Sequence, residues 1–310
     1  MLKEIINKLD KRTTVLMAVI LCAIVIAEIT LTCIIPVWKE YFFDVLQNKQ
    51  IDKFSLAVTL FLLLTLSLGC AQGTKAWVSQ KLSLLIRSAG NKVLLKKWVY
   101  SDREQKNYTQ PITEALKNWT EYFIYTVVEV IISASIIIGL VLANLNSPLI
   151  LWGSLVYTII ITAVATVFNK PLVNSDATYQ SSEGIYRESI SDIKNGNGDY
   201  TAKQKYLDVV ANYSRYIKVT MYFTLFSRLK NSTASVVPFI LLSTSYFSGA
   251  ISLGDFMAGV ATFELIVVNS TILLEIYPKY TKMLASYNLS KGFYESLNGS
   301  YNSHTVEDVK

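Results

Sequence analysis

The strongest constraint on this chain is a set of apolar runs, each about 20 residues long, that suit the thickness of a lipid bilayer. They lie near 14–37, 54–78, 121–143, 148–168, 232–249 and 255–277. Backbone N–H and C=O groups inside hydrocarbon must be satisfied within the segment, so runs of this length are read as membrane-spanning helices. Hydrophobic residues make up 52% of the chain and its mean hydropathy is +0.36, a combination that a soluble domain of this size seldom shows. Six crossings return both termini to one side. Lys3, Lys8, Lys11 and Arg12 precede the first run, which is too long for a signal-peptide core and reads as a retained span.

Basic residues set the expected orientation. Residues 79–120 carry Lys81, Arg87, Lys92, Lys96, Lys97, Arg103, Lys106 and Lys117, and residues 169–230 are similarly rich in Lys and Arg. The connections 144–148 and 248–254 carry none. The positive-inside rule then places both termini and both long loops in the cytoplasm of a multi-pass inner-membrane protein. The net charge of +6 is accounted for by topology, and no nucleic-acid partner is expected. Cys22, Cys33 and Cys70 all fall inside apolar runs, where they read as small packing residues; no disulfide framework, zinc site or cofactor motif is present.

The two long polar stretches are helical. After Trp77 the second run continues through Leu82, Leu85, Ile86, Val93, Leu94 and Trp98, apolar positions three or four apart among basic ones, which describes an amphipathic helix leaving the membrane. Residues 169–230 fold back at Asn195-Gly196-Asn197-Gly198, a strong turn signal, so two antiparallel helices are expected there. Helices of about 25 residues reach roughly 35 Å beyond the bilayer. Ser101 with Glu104, and Thr201 with Gln204, supply capping signals near the two tips. The first span is expected to end at Pro36-Val37-Trp38, the last helix to continue to about Leu297, and residues 298–310 to form a frayed tail.

This layout resembles the membrane domain of ABC exporters, and more narrowly the SbmA/BacA peptide-transporter family. Asn107-Tyr108-Thr109-Gln110-Pro111-Ile112 is similar to that family's Asn-Pro-Asp-Gln-Arg-Ile segment, departing at Tyr108, Thr109 and Pro111. Glu183-Gly184-Ile185-Tyr186-Arg187 is similar to its Glu-Gly-x-Phe-Arg segment, and residues 246–257 to its hairpin between the last two spans. The resemblance implies an all-α integral membrane fold of the ABC exporter type, six spans with two cytoplasmic stalks, over residues 1–297. It also implies a homodimer that takes up peptides or peptide-like compounds on the proton gradient. The alternative is a membrane subunit served by a separate ATPase, since the sequence holds no Gly-x-x-x-x-Gly-Lys-Ser/Thr phosphate loop. A non-transporting protein on the same scaffold is a third reading. An enzyme is not expected: the one histidine, His304, sits in the tail, and neither His-Glu-x-x-His nor Gly-x-Ser-x-Gly occurs.

Carboxylates within spans are costly unless protonated, paired or hydrated, which makes Glu28, Glu129, Glu264 and Glu275 candidates for proton coupling or translocation. Counted from the span ends, Glu28 is expected in the outer half, Glu264 near the middle, Glu129 in the inner half and Glu275 at the inner mouth. Glu264 and Glu275 are eleven residues apart and share a helix face, a ladder a proton could follow. The competing reading is that these groups hydrogen-bond neighbouring helices or line a wet cavity. Asn107, Gln110, Glu183 and Arg187 are candidates for coupling at the stalks, against ordinary capping and a surface Glu183–Arg187 pair at i,i+4.

Overall fold

The computed structural model describes residues 1–99, 110–145, 147–194 and 202–307, and within these every long element is a helix. A short α1 (Leu2–Lys8) precedes α2 (Lys11–Gln47) and α3 (Ile51–Val99); a π-helical turn at Gln110–Ala115 leads into α4 (Leu116–Ala143). Then follow α5 (Pro148–Lys194), α6 (Ala202–Phe247) and α7 (Leu253–Glu307). The capping signals around Ser101 and Thr201 and the Asn195–Gly198 turn lie outside the described residues.

Among the described residues, five helices are long and apolar enough to cross a membrane: Lys11–Gln47, Ile51–Val99, Pro111–Ala143, Pro148–Arg187 and Leu253–Leu297. The expected span at 232–249 lies in α6, which is less apolar because Ser232, Thr233, Ser235, Ser243, Thr244 and Ser245 interrupt its run. Both stalk helices are unbroken extensions of spans, as the periodicity requires. The first span does not stop at Trp38. Pro36 is accommodated inside α2, and the helix runs on to Gln47 while Trp38 stacks on Phe42 and Phe61 and donates its Nε1–H to the Ala57 carbonyl at 2.9 Å. At the other end of the chain, α7 is helical through Glu307.

Contacts between helices recede in step and fix the directions. Tyr157 meets Lys230, Phe168 meets Phe226, Tyr179 meets Tyr213 and Tyr186 meets Tyr206, so α5 and α6 are antiparallel along their whole length. Helix α7 is the axis of the bundle: it packs on α2, α4, α5 and α6, and 56% of its most apolar window is buried, against 6% for α3. The α3 side chains Leu60, Leu62, Leu63 and Leu66 face outward, the surface expected toward lipid. Cys22 and Cys70 share this outward position, and only Cys33 is partly enclosed, so two of the three cysteines do not pack as expected.

The short-loop end is tied by caps. Ser252 Oγ accepts the Asp255 N–H and the Asp255 carboxylate accepts the Ser252 N–H, both at 3.0 Å, while Gln47 and Asp44 at the end of α2 accept the Leu253 and Gly254 N–H groups. A Cβ at Gly254 would stand 2.4 Å from the Glu40 carbonyl, so only glycine allows this approach. Gly249 takes φ +75° to end α6.

Candidate functional site

Three charged side chains from three helices meet inside the bundle. Lys75 of α3 places its Nζ 2.9 Å from both Glu28 carboxylate oxygens (α2) and 3.1 Å from Glu129 Oε1 (α4). Glu28 is buried, and the Lys75 side chain is only 13% exposed. Two carboxylates around one ammonium leave one formal negative charge, so a single proton would neutralise the group. The helices are set for this contact by apolar neighbours: Val25, Val78, Val128, Ile132 and Ile266 form the buried cluster around it.

Lys75 was legible in principle. It is a cation inside an apolar run, and the rule that singles out intramembrane glutamates applies equally to it. The expected depths are corrected at the same point. Glu28 and Glu129 share one level, because α2 extends well beyond Trp38 and its midpoint shifts toward Glu28. Glu264 instead approaches Lys39 at 3.9 Å. Lys39 is eleven residues beyond Glu28, so Glu264 lies about 16 Å nearer the short-loop end. It is the outermost of these three glutamates.

Toward the stalks the cluster faces a cavity of about 660 Å³, lined among others by Lys75, Glu129, Tyr125, Lys81, Arg87 and Lys279. Lys279 Nζ sits 3.8 Å above the Tyr125 ring. Below the cavity, Ser83 donates to Thr120 at 3.2 Å, and Gly90 lets Leu116 close against α3. A second buried lysine, Lys230 of α6, donates to Thr271 Oγ1 at 3.3 Å, while the Lys230 carbonyl accepts from Tyr157.

The remaining candidates separate. Asn107 lies outside the described residues. Gln110 opens the π-helical turn and Glu275 lies in α7; their side chains also lie outside what is described. Glu183 accepts from Tyr179 Oη at 3.5 Å, and it forms no ion pair with Arg187, which is exposed one turn further along α5. The surface i,i+4 pair weighed against a coupling role is therefore not formed, and Glu183 instead meets Tyr179 one turn back on the same helix. Among the described residues no three His, Cys, Asp or Glu side chains gather as metal ligands.

A helical bundle with spans prolonged into stalks and a charged cavity at their junction defines a membrane-transport scaffold. Residues 1–247 match the family described as ABC transporter transmembrane region 2, and the chain belongs to that family. Two relatives extend the likeness. An "Uncharacterized ABC transporter ATP-binding protein" of Haemophilus influenzae is 20% identical over 92% of this chain and 54% of its own length. The "Inner membrane ABC transporter ATP-binding protein YddA" of Escherichia coli is 21% identical over 92% of this chain and 58% of its own. The chain thus spans little more than half the length of these relatives.

Proposed function

We propose that two copies of this chain form the membrane pathway of an exporter-type transporter energised by an ATP-binding partner or domain. The observation that carries this reading is the likeness, over 92% of the chain, to proteins named for ATP binding within ABC transporters. A second copy suits the α5–α6 hairpin, which exposes Ile185, Ile190, Leu207, Val210, Ile217 and Met221 along its stalk. The stalks and both termini lie in the cytoplasm, on the positive-inside count, where an ATPase would reach the tips. Within the pathway, the Glu28–Lys75–Glu129 bridge acts as a lock between α2, α3 and α4 that must break and reform as the helices move.

A second reading, proton-driven uptake of peptide-like compounds by a homodimer, is favoured by Glu264, whose side chain is 31% exposed and approached by Lys39 at 3.9 Å. The test is uptake of a fluorescent proline-rich peptide into proteoliposomes. One set holds the chain alone under an inward proton gradient; the other holds the complex recovered from native membranes, with and without ATP. ATP-dependent flux, with none from the gradient, supports the first reading. Gradient-driven flux by the chain alone replaces it with the second.

A further inference from the structure

Between α5 and α6, at the level where the apolar run of α5 gives way to polar residues, the helices part to leave a cleft of about 550 Å³. Its construction follows from spacing. Thr166, Lys170, Asn174 and Thr178 recur every fourth residue and line the α5 side; Asn212, Arg215 and Val219 line the α6 side. Aromatic contacts bound it at both ends: Phe168 stacks on Phe226 at 4.9 Å on the membrane side, and Tyr179 packs on Tyr213 at 4.9 Å on the tip side. Pro171 stands in the wall of the cleft, within the helix.

The lining contains two cations and no acid. Neither Lys170 nor Arg215 makes an ion pair among the described residues. The nearby Asp176 is engaged elsewhere, with Lys282 at 2.9 Å and Gln180 at 3.0 Å. Ser175 and Thr178 already donate their hydroxyls to the Pro171 and Asn174 carbonyls, so the donors free to meet an anion are the Lys170 ammonium, the Arg215 guanidinium and the Asn174 amide. Directly toward the membrane, Ile159, Ile160, Val164 and Val167 of α5 are exposed. A phosphate with acyl chains attached would meet cations at the cleft and an apolar surface beside it.

We infer that this cleft is a binding site for the phosphate headgroup of an anionic phospholipid, entered from the bilayer. The guanidinium would take two phosphate oxygens and the ammonium a third, and the bound lipid would brace α5 against α6 where the hairpin leaves the membrane. This site is separate from the Lys75 cluster and stands whether transport runs on ATP or on protons.

The test is thermal unfolding of the purified full chain in zwitterionic detergent, titrated with phosphatidylglycerol, with phosphatidylcholine and with inorganic phosphate. Phosphatidylglycerol should raise the midpoint well above the effect of phosphatidylcholine, and inorganic phosphate should not. In the Lys170→Ala/Arg215→Ala variant the phosphatidylglycerol titration should shift to about tenfold higher concentration or more. Lys170→Arg/Arg215→Lys, which keeps both charges, should retain the response, as should Lys96→Ala/Lys218→Ala, which removes two exposed cations outside the cleft. An equal response in wild type and Lys170→Ala/Arg215→Ala, or no preference over phosphatidylcholine, would overturn the site. Stabilisation by inorganic phosphate matching that by phosphatidylglycerol would overturn the lipid as its occupant.

Discussion

The two stalks are built from similar helices but reach stability differently. The first has a core: Ile5 of α1, Leu94 of α3, Leu116 and Trp119 of α4 and Leu297 of α7 are buried together. Four helices close around one another, and Tyr294 and Lys97 anchor Glu4 to fasten α1 beneath them. The second stalk is the α5–α6 hairpin, joined by a row of aromatic pairs from Phe168–Phe226 to Tyr186–Tyr206 and tied to α7 by the Asp176–Lys282 ion pair. Two helices cannot enclose a core, so Ile185, Ile190, Leu207, Val210 and Ile217 remain outside and Val209 is buried. The first stalk is therefore self-sufficient, and the second is shaped for a partner surface.

The largest effect is expected where the first half of the bundle carries charge. Lys75→Met leaves the buried Glu28 and the partly buried Glu129 carboxylates without their shared cation and should cost about 3–5 kcal/mol in thermal unfolding of the detergent-solubilised chain. Leu116→Ala, in the core of the first stalk, should cost about 2–5 kcal/mol by the same measurement. Gly254→Ala should cost about 1–3 kcal/mol, because the new Cβ would collide with the backbone of α2. Ile217→Ala on the second stalk should change the isolated chain by less than about 0.5 kcal/mol. The same substitution should weaken the assembled complex measurably in cross-linking, and a large effect on the isolated chain would erase the contrast between the stalks.

Another small effect is electrostatic. Burial pushes the Glu4 carboxyl upward, but hydrogen bonds from Tyr294 and Lys97 outweigh it and hold the group below its ordinary value. A lowered carboxyl stabilises the docked α1 above the ordinary carboxylate range, and that contribution is lost as pH falls through the lowered value. Because the side chain is half exposed, the gain should stay under about 1 kcal/mol. The protection of the residue 2–8 amides, taken relative to their intrinsic exchange rate at each pH, should fall on acidification in the wild type and be pH-insensitive, at the lower level, in Glu4→Gln.

Much of the fold was legible because membrane spans and stalks are written in local periodicity. The run from Leu82 to Trp98 announces its own helix, and the Asn-Gly-Asn-Gly signal in the sequence announces the antiparallel α5 and α6. The site was legible only by half. Glutamates in apolar runs were conspicuous, but their partner Lys75 lies 47 residues from Glu28 and 54 from Glu129, and no local pattern joins them. Depth was misjudged because a proline and an aromatic belt suggested a span end where α2 continues. Glu183 had two neighbours one turn away on its own helix, Tyr179 and Arg187, and spacing alone does not choose between contacts worth only a few tenths of a kcal/mol; the structure pairs it with Tyr179.

The most direct measurement of the charge lock is an unfolding cycle comparing the wild type, Lys75→Met, Glu28→Gln/Glu129→Gln and the triple variant. The single change should be strongly destabilising, and the triple variant should recover to within about 1 kcal/mol of wild type, because no uncompensated charge remains. Additive losses, or a Lys75→Met protein as stable as the wild type, would contradict a lysine that holds the two carboxylates together.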